Sequence, residues 1–250
     1  MNKTTRWTRA TIASILIAQT LLLINSPARA AYGVAVEKRH VEGARHGVYT
    51  YSIDYPKFSG GPLARMASTS VETWVHRRVA EFTVHARAAK RVKHPVMKFY
   101  PHTQDITYVV SCATPQVISF YLKASGSTGH VDDDFDFQAQ TFAWRGGKPV
   151  RLNLSDAFRP GVFGPSAISP IVIAKLMAQR VQLVTEGELK RIDEPPIYWT
   201  WSVSPKGLVV LVPPGIVDSV AAGPYEMPIP FSALDEKLAV DGPLRSVIKG

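Results

Sequence analysis

One long amphipathic segment between residues 63 and 90 limits the folds open to this chain. Its basic side chains Arg77, Arg87 and Arg91 lie on one side of a helical projection, with Lys90 at the margin. Apolar side chains occupy the other side at a spacing of 3.6 residues, at Val71, Val75, Val79, Phe82, Ala86 and Ala89. The segment therefore predicts an amphipathic helix from Leu63 to Lys90.

Strand patterns flank this helix on both sides. Before it, residues 48–55 alternate between tyrosine or isoleucine and polar side chains, which is typical of a half-buried strand, and Pro56 is expected to end it. After it, strands are predicted at residues 106–113, 116–123 and 135–144, with a turn at 145–148. Local pattern thus places a sheet next to the long helix.

The C-terminal part adds a second helix and a hairpin. The helix is predicted from Pro165 to Val184, with apolar positions at Ile168, Ile171, Ile173, Leu176, Met177 and Val181. Strands are predicted at 197–203 and 208–212, joined by the turn 204–207, then at 226–231 before a terminal helix at 232–239. This order predicts an α+β fold, a mainly antiparallel sheet packed with one long N-terminal helix and a second helix before the C-terminal strands.

The first thirty residues have the layout of a secretory signal peptide. Lys3, Arg6 and Arg9 form a positive start, an uncharged apolar run extends to Ile24, and the small residues around Arg29 form a cleavage pattern. The apolar run is shorter than the roughly 20 residues that span a bilayer, so cleavage after Ala30 is favoured over an uncleaved anchor. We predict a signal peptide at 1–30, a strand–helix module at 31–100 and an α+β domain at 101–250. The last two are expected to form one compact unit that does not span the membrane and is periplasmic or secreted.

Charge and cysteine content restrict the partners. The formal net charge of +9 falls to +5 without the signal peptide, because that segment holds four basic residues and no acidic one. A mild positive charge favours anionic envelope surfaces over nucleic acid, which is not expected as a partner outside the cytoplasm. Cys112 is the only cysteine, so no internal disulfide forms. It lies in an apolar strand and is interpreted as a core residue.

Three stretches resemble a known family. They are residues 118–130, with a strand followed by Thr-Gly-His, residues 142–158, with a Gly-Lys turn followed by Leu-x-Leu-x-Asp-x-Phe, and residues 207–234, where a buried strand leads to Ala-Ala-Gly-Pro and Ile-Pro. Together they resemble the RsiV-like extracytoplasmic domain family, of the lysozyme-binding anti-sigma factor type. They are also similar to the secreted mycobacterial immunogenic proteins of the MPB type.

The resemblance implies a fold and an exported location more than an activity. The chain shows no sigma-binding segment and no spanning helix of the anti-sigma type, so sigma regulation is not expected. Another relative carries this module ahead of a peptidoglycan deacetylase domain, which is not found in this sequence. Lysozyme, the family's partner, is disfavoured because common lysozymes are strongly basic and a chain at +5 would repel them.

Three groups of side chains are candidates for ligand binding. His130, Asp132 and Asp134 lie in an acidic loop that also contains Asp133 and Asp136; the spacing matches no calcium loop, so a solvated loop is favoured over a metal site. Trp199 and Trp201 share one strand face, which is either a platform for sugar rings or buried sheet core, the latter being favoured. The basic helix face, Arg77, Arg87, Lys90 and Arg91, is either a docking surface or a solvated face.

The sequence contains none of the common catalytic motifs. No nucleophile elbow, zinc-binding His-Glu-x-x-His or phosphate loop occurs, and no cofactor or catalytic residue is assigned. The favoured hypothesis is an exported non-enzymatic protein that binds an envelope protein or a cell-wall glycan such as peptidoglycan. The alternative is a small envelope hydrolase acting on peptidoglycan, supported by the His130 loop and by export.

Overall fold

A six-stranded sheet forms the centre of the fold in the computed structural model, which describes residues 33–92, 99–128, 134–190, 200–218 and 223–249. Its strands are β1 (Ala35–Arg45), β2 (Tyr49–Ser59), β3 (His102–Ala113), β4 (Val117–Ser127), β5 (Asp134–Arg145) and β6 (Lys148–Arg151). They lie side by side in chain order. Only β2 and β3 pair in parallel, because the long helix between them carries the chain back to the starting end. The predicted α+β class with a mainly antiparallel sheet is confirmed.

The long helix α1 (Pro62–Arg91) covers one face of this sheet. Pro62 lies in its first turn, where a missing N–H costs nothing, and Lys90 and Arg91 lie in its last turn, where positive charge is favourable. Its buried side chains, among them Leu63, Ala67, Val71 and Val75, pack against Ile53, Ile106, Phe120, Leu122 and Phe142 of the sheet. The helix lies where the sequence pattern predicted it.

The start of the sheet differs from the prediction in two ways. β1 was not predicted, because most of its side chains are polar and exposed. Pro56 does not end β2, which continues to Ser59 and pairs there with β1. β3 pairs only with residues 49–53 of β2, so Pro56 lies where the strand is bonded on one side and a missing N–H is tolerated. The sheet also continues across residue 100, where two modules were predicted to meet.

A smaller sheet covers the opposite face. It contains β7 (Thr200–Ser204), β8 (Gly207–Val212) and β9 (Tyr225–Pro230), all antiparallel, and β7 contacts β3, β4 and β5. The predicted hairpin across residues 204–207 is present. The terminal helix predicted at 232–239 is wrong: two 3-10 turns occupy Phe231–Ala233 and Asp235–Lys237, and the short helix α4 follows at Arg245–Ile248.

The second predicted helix is interrupted. Instead of one helix from Pro165 to Val184, the structure has α2 (Gly164–Ala178) and α3 (Gln182–Thr185). The break is a Schellman motif: Arg180 has a φ of 59°, and the N–H of Val181 donates to the carbonyl of Leu176 at 3.1 Å. Met177, predicted as an apolar position of this helix, lies within α2 and is 48% exposed.

Buried hydroxyl groups join the two sheets. Ser119 Oγ lies 2.8 Å from both Thr141 Oγ1 and Ser202 Oγ, and Ser202 donates to Ser111 Oγ at 2.6 Å. The N–H of Val203 donates to Ser119 Oγ at 2.9 Å. Ser119 and Ser202 are fully buried, so each hydroxyl group provides a hydrogen-bond partner for the other where water cannot reach.

No helix among the described residues has the length and apolar character that crossing a membrane requires.

Candidate functional site

A cavity, here called the main cavity, lies between the C-terminal half of α1 and strands β3 to β5. Its volume is about 810 Å³. The sheet presents small residues here, Ala124 and Gly126, where it presents phenylalanine and leucine further along β4. A side chain at position 126 would begin 2.2 Å from the carbonyl oxygen of Thr103, so the close approach of β3 requires glycine. The space remains open because no large side chain fills the floor.

Arg78 and Gln104 form the polar wall of the main cavity. Gln104 is 5% exposed, and with its amide oxygen turned toward α1 it accepts hydrogen bonds from Arg78 Nε at 3.0 Å and Nη2 at 2.8 Å. This contact holds the guanidinium of Arg78 against β3. A positive charge is thereby fixed at the cavity wall.

Asp136 faces the same cavity from β5. Partial burial raises the pKa of its carboxyl group, although the hydrogen bond from the Phe137 N–H at 2.8 Å and the charge of Arg78 act in the opposite direction. The lining of the cavity therefore combines the guanidinium of Arg78 and the carboxyl groups of Glu81 and Asp136 with the apolar side chains of Phe82, Val84 and Phe135.

Aromatic rings line the end of α1 beside the main cavity. The ring of His85 lies 5.6 Å from that of His102, and Phe99 stacks on His102 at 5.6 Å. Lys90 Nζ lies 4.8 Å from the centre of the Phe99 ring, at cation–π distance. This packing ties the end of α1 to the start of β3.

A second, polar groove continues along α1 toward its N-terminus. It has a volume of about 370 Å³ and lies between α1 and strands β5 and β6. Arg77 lines it from the helix, and Gln138, Gln140 and Arg151 line it from the sheet. The main cavity and the polar groove follow one another on the same side of α1, and together we call them the trough.

Two polar side chains of this groove differ in burial, Gln140 being buried and Arg151 exposed. Gln140 is 3% exposed, and its Oε1 atom has no hydrogen-bond partner in the structure. Arg151 donates a long hydrogen bond of 3.4 Å from Nη2 to the carbonyl of Ala139, and partial burial lowers its pKa. No carboxylate in the described part of the chain lies within ion-pair distance of Arg151. An unpaired buried oxygen such as that of Gln140 is costly unless a ligand satisfies it, whereas the exposed guanidinium of Arg151 reaches solvent.

The acidic loop is described only in part. His130 and Asp132 lie outside the described residues, and Asp134 opens β5 with a side chain that is also outside them. Within the described residues, no three His, Cys, Asp or Glu side chains are close enough to hold a metal ion. The described part of the loop contributes Asp136 to the main cavity.

Of the two candidate tryptophans, the structure describes only Trp201. Trp199 lies outside the described residues, whereas Trp201 is 8% exposed and belongs to the core between the small sheet and α2. Burial of Trp201 matches the alternative favoured from the sequence, ordinary sheet core.

The four basic side chains predicted to form one face of α1 make different contacts. Arg77 lines the polar groove, with Nε 3.9 Å from Glu81. Arg87 donates to the Tyr49 hydroxyl at 3.2 Å and lies over its ring, and Lys90 donates to the Gly47 carbonyl at 2.8 Å. Arg91 is the exposed last residue of the helix. Two of the four basic side chains thus pack on the β1–β2 turn.

Most residues that define the trough were not predicted from the sequence. Arg78, Gln104, Gln140 and Arg151 were not candidates. The signal available for one of them was the alternation in β5, where Asp136, Gln138 and Gln140 share a face, but polar residues on a strand face usually indicate solvent. Only the position of α1 shows that this polar face is covered.

Two solved structures share this arrangement of sheet and helices. A DUF3298 family protein from Pseudomonas aeruginosa PAO1 matches with a TM-score of 0.58 at 13% identity, over 81% of this chain and 93% of that one. The chain has the DUF3298 fold. A second DUF3298 member, from Bacteroides fragilis NCTC 9343, matches with a TM-score of 0.51 at 14% identity, over 87% of this chain and 98% of that one. No family model and no curated protein matches the sequence.

The DUF3298 fold agrees with the coarser part of the resemblance noted in the sequence. The DUF3298 family includes RsiV-like extracytoplasmic domains. The narrower likeness to the lysozyme-binding anti-sigma factor type or to the MPB type stays a prediction.

Proposed function

We propose that this protein is an exported, non-enzymatic binding protein of the cell envelope whose ligand occupies the trough along α1. The observation that carries the proposal is the main cavity, about 810 Å³ in volume, whose lining includes the charged side chains of Arg78 and Asp136. Binding sites of this size combine apolar walls with a few placed polar groups. The signal-peptide pattern of residues 1–30 supports an envelope location.

The described residues favour binding over catalysis. The single thiol, Cys112, is 4% exposed, and burial raises its pKa to about 11, so it is not a nucleophile at neutral pH. The trough residues resemble a recognition surface: a guanidinium held by an amide, a carboxylate and apolar walls. The hydrolase alternative predicts altered muropeptides after incubation of peptidoglycan with the protein and divalent metal, whereas a binding protein leaves them unchanged.

The test is capture of envelope components with a variant that blocks the cavity. Protein purified from the cells that produce it is immobilised and exposed to envelope extract, purified peptidoglycan and lysozyme, at low and moderate salt. Ala88 lines the main cavity and is exposed, so Ala88→Trp fills the space without disturbing the core. Ala80 is also exposed on α1 but lies outside the cavity, which makes Ala80→Trp the matched control.

We expect the unaltered protein and Ala80→Trp to retain one envelope component and Ala88→Trp to lose at least ~10-fold of it, as a blocked site would. Lysozyme is the least expected ligand, because the exported chain would be positively charged. Capture of nothing by the unaltered protein would contradict the binding function, and equal capture by Ala88→Trp would contradict the site.

Export has a separate test. Intact-mass measurement of the envelope protein is expected to give a chain that begins at Ala31, because the small-residue pattern ends at Ala30. A full-length species confined to the cytoplasm would contradict export without bearing on the trough.

A further inference from the structure

We propose that the ligand of the trough is an extended peptide with an acidic side chain, which binds by adding a strand to the edge of β5. This inference rests on the proposed function and names the class of ligand.

The first observation is an open sheet edge. β5 pairs with β4 from Asp134 to Ala143, but β6 pairs only with residues 142–145 of β5. Among the described residues, the stretch 134–141 therefore has a neighbouring strand on one side only. An edge of this kind is a template for another strand.

The backbone groups that point toward this edge can be identified. The N–H of Leu152 donates to the carbonyl of Thr141 at 2.8 Å, so the backbone groups of Thr141 face the β6 side. Orientation alternates along a strand, and the pairing with β4 runs without a bulge, so those of Ala139, Phe137 and Phe135 face the same side. This gives an incoming strand three alternate residues, Phe135, Phe137 and Ala139, whose backbone groups it can pair with.

Side chains occupy part of this edge. The Phe137 N–H donates to Asp136 Oδ1 at 2.8 Å, and the Ala139 carbonyl accepts from Arg151 Nη2 at 3.4 Å. Both are local contacts of side chains that reach solvent, and a peptide backbone provides an acceptor and a donor in their place. The exchange frees the guanidinium of Arg151 to bind the peptide's own side chain.

The charge of the polar groove selects an acidic side chain. Arg77 and Arg151 both line it, Arg151 has no carboxylate partner in the described part of the chain, and the nearest carboxylate to Arg77 Nε is Glu81 at 3.9 Å. Guanidinium groups bind carboxylates through paired hydrogen bonds. The buried Oε1 of Gln140 needs a donor, which an amide N–H of a peptide supplies.

The cavities on the two sides of β5 match the alternation of an added strand. Successive side chains of an extended peptide point to opposite faces of a sheet. One face is the trough. On the other, a cavity of about 260 Å³ is lined by Ala139, Thr141 and Trp201. A peptide at this edge therefore has a cavity on each face of the sheet for its alternating side chains, which a compact anion does not require.

The test uses peptides as probes, and it does not depend on the folding of any variant. The probe is the labelled eight-residue peptide TVTVEVTV, measured by fluorescence anisotropy against the unaltered protein. One comparison peptide has glutamine in place of glutamate, and another has alternate backbone nitrogens methylated, which prevents strand pairing. We expect each change to weaken binding by at least ~10-fold, since each removes charge-assisted or backbone hydrogen bonds.

Protein variants locate the site. Arg77→Gln and Arg151→Gln are expected to weaken binding of the glutamate peptide and to leave that of the glutamine peptide unchanged. Arg65→Gln on α1 and Lys148→Gln on β6 are matched controls, because both side chains are exposed and line neither the main cavity nor the polar groove. Ala139→Pro removes an N–H that faces the edge and no bond to β4, so the variant is expected to fold and to lose the peptide.

The outcomes separate this inference from the proposed function. Absence of binding by TVTVEVTV, or equal binding of the methylated or glutamine peptide, would overturn the strand-addition site. If the protein still captures an envelope component that Ala88→Trp releases, the binding function stands and its ligand is of another class, such as a glycan. Binding of stem peptides from peptidoglycan without binding of TVTVEVTV would likewise overturn the inference.

Discussion

The thiol of Cys112 shows how far a single residue can be interpreted from its neighbours in sequence. An apolar strand around it predicted burial, and the structure confirms this at 4% exposure, with Sγ 3.6 Å from the Val117 carbonyl. Burial raises its pKa to about 11, although hydrogen bonds with Thr114 act in the opposite direction. The residue is protonated and packed at neutral pH.

A thiol reagent checks this directly. At pH 8 we expect iodoacetamide to label Cys112 in the folded protein at least ~100-fold more slowly than in urea, because a pKa about two units higher leaves that much less thiolate and burial limits access. The measurement is the mass shift with time under both conditions. Equal rates would show that the thiol is exposed. The pH dependence has the same sign: labelling of the folded protein rises as pH approaches 11.

At the scale of elements, the predicted turn between β7 and β8 lies against β9, a predicted strand whose pairing with β8 was not predicted. Gly207 ends the turn with a φ of 152°, a conformation that favours glycine. A side chain there would begin 2.0 Å from the carbonyl oxygen of Ile229 in β9. The turn explains a glycine, but the close approach of β9 is what excludes every other residue.

Gly207→Ala therefore tests packing as well as backbone strain. We expect it to lower the free energy of unfolding by about 2–4 kcal/mol, since strain and a clash with backbone add. Gly146→Ala is the control, because Gly146 also has a positive φ, of 57°, but has open space around it, and about 1 kcal/mol is expected. Urea unfolding of both variants gives the comparison. Equal losses of unfolding free energy in the two variants would mean that a side chain at position 207 does not clash with β9.

At the scale of the whole molecule, the two sheets are joined by a polar network inside an apolar interface. Ser202 of β7 contacts Ser119 of β4 and Ser111 of β3, residues more than eighty positions away in the chain. Fully satisfied buried hydroxyl groups fix the relative position of two layers, because any shift leaves a group without a partner.

Removal of the central hydroxyl measures this coupling. Ser202→Ala is expected to lower the free energy of unfolding by about 1–3 kcal/mol, because the buried hydroxyl group of Ser119 loses a partner where water cannot replace it. Ser155→Ala, at an exposed serine, should stay within about 0.5 kcal/mol. The double variant Ser119→Ala/Ser202→Ala should cost less than the sum of the two single changes. Strict additivity in thermal or urea unfolding would show that the two hydroxyl groups do not interact.

Local periodicity in the sequence determined the long helix, strands β2 to β5, the hairpin of the small sheet and the burial of Cys112. These features follow from side chains within one or two turns of each other, so no distant contact is needed to predict them. The export of the chain is also a local pattern, and it stays a prediction.

Tertiary structure alone decided the rest. β1 has no strong apolar face and exists because β2 offers it an edge, and the break after α2 depends on a left-handed residue, Arg180, that local composition does not single out. The trough has the same origin. Gln104 and Gln140 are polar residues on strands, and they are buried because α1, which connects β2 to β3, covers their face of the sheet, while Arg151 stays exposed beside them. Contacts between residues distant in sequence determine which strands become neighbours. The same long-range contacts bring the residues of the candidate site together.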